Sequence, residues 1–460
     1  MTGRLLIELC DVVVTMDDAG TEISGGSILI EDGVIRWIGT GRPDRGQGAN
    51  VVDGRRCIAI PGLINAHHHL YQSLTRVRAQ EQGLFGWLRD LYPVWAGVDA
   101  EWMRAAAAVG LAELALSGCT TTTDHHYVFP NRRTGILEAE VQIAQRIGLR
   151  FHPCRGSMDL GRSKGGLPPD EIVEDTDEVL ARTERAIAEL HDPAPGSMLR
   201  VAVAPCSPFS ATPRLMRESA ALARRSGVRL HTHIAETADE EAYCREQFRM
   251  RPIELLDDLG WLGPDVWLAH CVHLSGDDVT RIARTRTAVA SCPTSNMRLG
   301  SGLAPVRGLL DAGAGVGLGV DGSASNDSGH MLAEVRQAML VARGRDGAAA
   351  MSARDVLRLA TRGSARCLGR DDVGSLEVGK RADVALFGSE VNEYVGTEAD
   401  PVAGLIFAAP ASVRHLFVDG RRVVSDYVLG TMDIQEIFEE GRRAARRIRS
   451  SSSAGPVSGG

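Results

Sequence analysis

The chain has 460 residues, 44% hydrophobic and 24% charged, an ordinary balance for a globular protein with a sizeable core. A formal net charge of −8 at pH 7 gives no electrostatic reason to expect nucleic acid or an anionic membrane as partner. No apolar run reaches the roughly 18 residues of a spanning helix, and nine scattered cysteines without a C-x-x-C pair lead us to expect reduced thiols in a cytoplasm.

The start, MTGRLLIELCDVVVTMDD, is broken by Glu8 and Asp11 before an export-signal core could form. Residues 1–57 read as short strands, with Asp32-Gly33 as a hairpin turn between SILIE and VIRWIG. The same texture returns in GSLEVGKRADVALFG (374–388) and VRHLFVDGRRVVSD (413–426), the latter around Asp419-Gly420. The expectation is one small β-sandwich assembled from residues 1–57 and 371–430, around a middle of another kind. From 58 to 370, apolar runs alternate with Ala/Leu/Glu/Arg-rich helical stretches. The runs are CIAIPGLIN (57–65), CTTTTD (119–124), LRFHPC (149–154), LRVAVAP (199–205), VRLHTH (228–233), VWLAH (266–270), TAVASC (287–292) and VGLGVD (316–321). Eight such strand–helix pairs predict a (β/α)8 barrel, an α/β fold, with an open doubly wound sheet as the alternative. Residues 431–460 should form a C-terminal helix ending in a disordered tail, SSSAGPVSGG.

Histidine is uncommon here, 13 in all, yet three stand together in NAHHHL. Alternation along an extended chain sends His67 and His69 one way and His68 the other. They follow the first barrel strand, on the end where barrel active sites sit. His231 and His233 close the fifth run, His270 the sixth and Asp321 the eighth. Imidazole and carboxylate suit zinc or a similar divalent metal, and His67, His69, His233 and Asp321 can supply its ligands. Such a metal makes hydroxide available near neutral pH. Asp321 can accept the water's proton, Glu236 can donate one to a ring nitrogen, and His270 can hydrogen-bond the attacking oxygen. Glu236 also reads as a helix-start carboxylate beside Thr237.

The H-x-H of NAHHHL, H-x-H-x-x-E of LHTHIAE, the histidine of LAHCVHL and the aspartate of GVDGSASND resemble the amidohydrolase superfamily, in its single-metal deaminase branch. The resemblance covers nearly the whole chain and includes the composite β-sandwich. It implies one divalent metal (zinc, iron or manganese) on His67, His69, His233 and Asp321. It further implies Glu236 as proton shuttle, His270 as partner of the activated water and tetrahedral intermediate, and assembly as a homo-oligomer. One departure is Asn65, where the superfamily often has Asp. Two-metal members resemble one another in a carboxylated lysine on the fourth strand, and LRVAVAPCSPFS contains none. A single metal and a heterocyclic amidine substrate are therefore expected.

The segments HHHLYQSLTR, LFGWLRDLYPVW, TDHHYVFP and CRGSMDLGRSKGGLPPD resemble the 8-oxoguanine-deaminating members of that branch, which implies release of the exocyclic amine as ammonia to leave urate. A flat base needs stacking and edge-reading groups. Tyr71, Trp95 and Tyr127 can stack, and Gln72 and Arg155 can read carbonyl and ring N–H groups. Trp95 and Tyr127 can equally pack loops, Arg155 can pair with Asp159, and His125 and His126 can face substrate or lie buried. Isocytosine, guanine or an s-triazine are the alternative substrates. A non-catalytic assembly role on the same barrel is the alternative of another class.

Overall fold

The computed structural model describes residues 3–43, 48–130 and 133–453. Strands β1 (Arg4–Val14), β2 (Glu22–Glu31), β3 (Val34–Thr40), β4 (Asn50–Asp53) and β5 (Cys57–Pro61) come first. The barrel strands follow: β6 (Leu63–Asn65), β7 (Cys119–His126), β8 (Arg150–Ser157), β9 (Ala202–Pro205), β10 (Arg229–Ile234), β11 (Val266–His270), β12 (Ala288–Ser291) and β13 (Gly315–Leu318). Last come β14 (Val384–Gly388), β15 (His415–Val418), β16 (Arg421–Ser425) and β17 (Val428–Leu429).

β6 to β13 lie side by side in sequence order, all parallel, with helices between them. The ring closes where Ala66 N–H donates to Leu318 O at 2.8 Å and Asp321 N–H to His67 O at 3.0 Å. Closure needs glycine at 319, because a Cβ there would sit 2.5 Å from that of His67. The intervening helices begin where the sequence supplies caps. Asp99 accepts from Trp102 N–H, Asp175 from Asp177 and Glu178 N–H, Thr212 from Leu215 N–H and Ser275 from Asp278 N–H.

The first predicted barrel run divides at Gly62. β5 pairs antiparallel with β14 and parallel with β1, so Cys57–Pro61 belongs to the terminal sheet and only Leu63–Asn65 to the barrel. The expected boundary after residue 57 therefore moves to Gly62. The terminal strands form one nine-stranded sheet in the order β17-β16-β15-β14-β5-β1-β2-β3, with β4 beside β1. The sheet is continuous in hydrogen bonding and folds over a shared core that includes Ile7, Ile28, Ile35, Val384 and Phe417. Both Asp-Gly steps are two-residue hairpin turns with positive φ at each residue, and their tips meet across Ala382, which bonds Gly33 O and Gly420 N–H. The second terminal segment is not wholly β, since Pro401–Phe407 is helical. The C-terminal helix spans Ile434–Ser453 and buries Ile437, Ala444 and Ile448. It takes in Ser451 to Ser453 of the expected tail, and 454–460 lie outside the described residues. Among the described residues no helix is long and apolar enough to cross a membrane.

The sheet is fixed to the barrel by a buried charge. Arg150 on β8, wholly inaccessible, donates from Nη2 and Nε to the Asp383 carboxylate at 3.0 and 3.2 Å, and from Nη2 to Asp419 at 3.2 Å. Its Nη1 donates to Gly196 O and Ser197 O. A buried guanidinium tolerates desolvation only while its donors are answered. Asp383→Ala should therefore destabilise the protein by about 3 kcal/mol. An unchanged urea unfolding midpoint would show that Asp419 and the two carbonyls suffice.

Candidate active site

The expected ligand residues meet at the C-terminal mouth of the barrel, all buried. His67 and His69 project from the chain just past β6, and His68 turns away, its Nδ1 accepting the His69 N–H at 2.7 Å. His231 and His233 share one face of β10. His270 ends β11 and Asp321 follows β13, with φ of 70° and 62°. Left-handed backbone at non-glycine residues is costly, and here it turns both side chains inward.

Neighbouring carbonyls fix where the imidazole protons sit. His69 Nδ1 lies 2.7 Å from His125 O and His233 Nδ1 2.7 Å from Cys206 O. A carbonyl only accepts, so each Nδ1 carries the proton and each Nε2 a lone pair. Those two Nε2 atoms face each other at 3.0 Å. His231 Nδ1–H donates to Trp267 O at 2.9 Å, so its Nε2 accepts the Nδ1–H of His67 at 2.8 Å. His67 Nε2 is left unprotonated and without a hydrogen-bond partner. It points at Asp321 Oδ1, 3.4 Å away, which is also 3.3 Å from His69 Nε2.

Three lone pairs and a carboxylate thus converge with no proton between them, an arrangement a cation resolves. Donors around a tetrahedral zinc at about 2.1 Å stand roughly 3.4 Å apart, close to these spacings. His125 stacks on His233 at 4.7 Å, and its Nδ1 also turns into the cluster, behind the cavity. Burial holds the His67 and His233 imidazoles well below their ordinary range, so the lone pairs stay free.

Glu236 lies 3.6 Å from His270 Nε2, and burial pushes its carboxyl up to about 7. Glu240 grips the turn beneath it, accepting Ala235 and Glu236 N–H at 2.8 Å each. Burial works against charge on His270, but Glu236 and Asp321 together hold it above the ordinary value. Its Nδ1–H donates to Asn296 Oδ1 at 2.9 Å.

A cavity opens onto this centre, lined at its base by His69, His233, Glu236, His270 and Asp321. Of the expected substrate contacts, Gln72 and Tyr127 line it, and Gln72 Oε1 is buried without a partner. Tyr71 and Trp95 do not. They pack edge to face at 5.1 Å behind the wall, and Trp95 donates to Thr75 Oγ1. Arg155 is also displaced from the substrate role, and its partner is not Asp159. Its Nη2 donates to both Glu174 oxygens at 2.7 and 2.9 Å, and the guanidinium lies over the Phe129 ring. The residues missed are Trp87, Tyr92 and Phe209 in the wall and Glu240 and Asn296 behind the polar groups, while His231, singled out without a role, supports His67. Trp87 and Tyr92 were within reach, since LFGWLRDLYPVW already stood out.

A model of the amidohydrolase family matches residues 58–423. The chain is 44% identical to an 8-oxoguanine deaminase of Pseudomonas aeruginosa, over 93% of this chain and 96% of that one. It is 40% identical to a hydroxydechloroatrazine ethylaminohydrolase of a Pseudomonas species, over 95% and 94%. An atrazine chlorohydrolase of Arthrobacter aurescens, solved with zinc, superposes with a TM-score of 0.92 at 36% identity, covering 96% of this chain and all of that one.

If the His231 acceptor sets the His67 tautomer, His231→Phe should keep the stack on Trp267 and still weaken zinc binding by about 10- to 100-fold. Chelator competition reads this directly, and an unchanged affinity would remove His231 from the centre.

Proposed function

The chain belongs to the amidohydrolase family and is a hydrolase acting on C–N bonds, and from that premise we propose that it hydrolyses the exocyclic 2-amino group of 8-oxoguanine to give urate and ammonia. The observation that carries the reading is the set of proton-free donors His67, His69, His233 and Asp321 with Glu236 and His270 across the same cavity. These four would hold the metal, which when bound polarises water so that hydroxide is available near neutral pH.

The chain's own groups account for the proton traffic. Asp321 accepts a proton from the attacking water. Its oxygen adds to C2 of the base while Glu236, kept protonatable by burial, delivers a proton to the adjoining ring nitrogen. His270 donates a hydrogen bond to the added oxygen, oriented by Asn296. The amine then takes up the proton held by Asp321, the C2–amine bond breaks as the added hydroxyl gives its proton back to Glu236 and becomes the carbonyl, and ammonia leaves. Gln72 Oε1, lacking a partner, suits a ring N–H, and Tyr127 and Trp87 flank a flat substrate. Tyr71, Trp95 and Arg155 support the rim from behind.

A second reading, loss of an alkylamine from an s-triazine, is favoured by the apolar wall of Leu84, Leu88 and Leu299. Nine buried thiols without a disulfide support a reducing compartment such as the cytoplasm, and a homo-oligomer remains our reading of the assembly.

Steady-state turnover of 8-oxoguanine, guanine, isocytosine and a hydroxy-alkylamino-triazine by zinc-loaded protein tests the proposal. The largest kcat/KM should belong to 8-oxoguanine, and a preference for the triazine would replace it with the second reading. Glu236→Gln should keep its metal and lose about 10²- to 10⁴-fold in kcat. Retained turnover would take Glu236 out of the chemistry.

A further inference from the structure

A second buried polar cluster lies outside the barrel wall, on the opposite face of β7 from the metal centre. Asp124 and His126 point outward from that strand toward the helix Ile136–Ile147, which presents Glu140. All three side chains are fully inaccessible. Each offers an atom within 4.8 Å of the others. Asp124 Oδ1 accepts the Leu70 N–H at 2.5 Å. Its Oδ2 and both Glu140 oxygens are buried and meet no N–H or hydroxyl donor. The two carboxyl groups are nevertheless within hydrogen-bond reach of each other. Two bare carboxylates cannot share such a space, whereas one proton between them makes a strong charge-assisted bond. His126 does not supply that proton. Its Nε2–H donates to Val128 O at 2.8 Å, which leaves Nδ1 as a further lone pair facing the pair.

We propose that Glu140 is a positioning residue of the metal centre, acting as a carboxylic acid that donates to Asp124 and so fixes the Leu70 amide and, through it, the turn that presents His69. Leu70 directly follows His69. The same strand grips the turn a second time from its other side, since the His125 carbonyl accepts the His69 Nδ1–H. β7 thus holds His69 at both the ring and the backbone, and Glu140 keeps the backbone hold in the right protonation state. Burial drives both acids upward, and because Asp124 alone accepts an N–H, that of Leu70, the charge rests on Asp124 and the proton on Glu140.

The inference rests on His69 being a metal donor, so the unmodified protein is measured first. If it binds no zinc, the reading of the metal centre fails and not only this one. Given zinc binding, two variants decide. Glu140→Gln keeps an N–H donor for Asp124 and should bind zinc within about twofold of the unmodified protein. Glu140→Leu keeps the bulk and removes the donor, and its zinc affinity should fall about 10- to 100-fold in chelator competition. Zinc affinity in Glu140→Leu equal to that of the unmodified protein overturns the proposal, as does an equal loss in both variants. Should Glu140→Leu not fold, infrared difference spectra of Glu140→Gln against the unmodified protein at neutral pH decide instead. Loss of one protonated-acid carbonyl band supports the proposal, and no loss overturns it. A second equivalent of tightly held zinc that disappears in Glu140→Gln would make the cluster a metal site and equally overturn it.

Discussion

The orientation of the imidazole protons is the constraint on which the centre depends. His67, His69 and His233 each spend their one N–H on an acceptor in the wall, and for His69 and His233 that acceptor is a backbone carbonyl at the end of the neighbouring strand. Backbone carbonyls cannot change protonation state, so these tautomers are set by the fold itself. Among the three lone-pair donors His67 differs. Its acceptor is another imidazole, whose own tautomer is fixed by Trp267 O, so the assignment passes through two rings before it reaches a carbonyl.

The barrel supplies this because parallel strands end together. Carbonyls near the mouth accept from side chains of the neighbouring strand, and the left-handed residues His270 and Asp321 swing the last two groups over the opening. The terminal sheet takes no part in the cavity. Its contribution is to hold the far end of the ring through Arg150 and Asp383, where β5 and β6 divide at Gly62.

Much of this was legible. Strand periodicity separated His67 and His69 from His68, and a run of apolar residues ending in a donor marked four strand ends. The hairpins at Asp32-Gly33 and Asp419-Gly420 needed only local chemistry. What stayed hidden depended on partners distant in sequence. Arg155 looked like a ligand-reading group because Glu174, which neutralises it, sits on an unremarkable loop. Tyr71 and Trp95 have the right chemistry for stacking, but the helix Leu84–Trp95 sets Trp95 against Tyr71 and presents Trp87 and Tyr92 to the cavity instead. The division at Gly62 was invisible because CIAIPGLIN is apolar throughout, and apolarity does not say which sheet a residue joins.

β7 shows how one strand can serve two polar environments. Its residues alternate strictly, so Asp124 and His126 leave the barrel while His125 enters it. Neither environment is self-sufficient, because on both sides acceptors outnumber donors. Inside, the deficit is three lone pairs and a carboxylate, and only a metal ion meets it without protonating an imidazole that burial keeps neutral. Outside, the deficit is a single proton between two acids. The two deficits are joined by the single peptide bond between His69 and Leu70. The strand is therefore the element through which metal affinity and the protonation of a remote acid pair become one property of the fold.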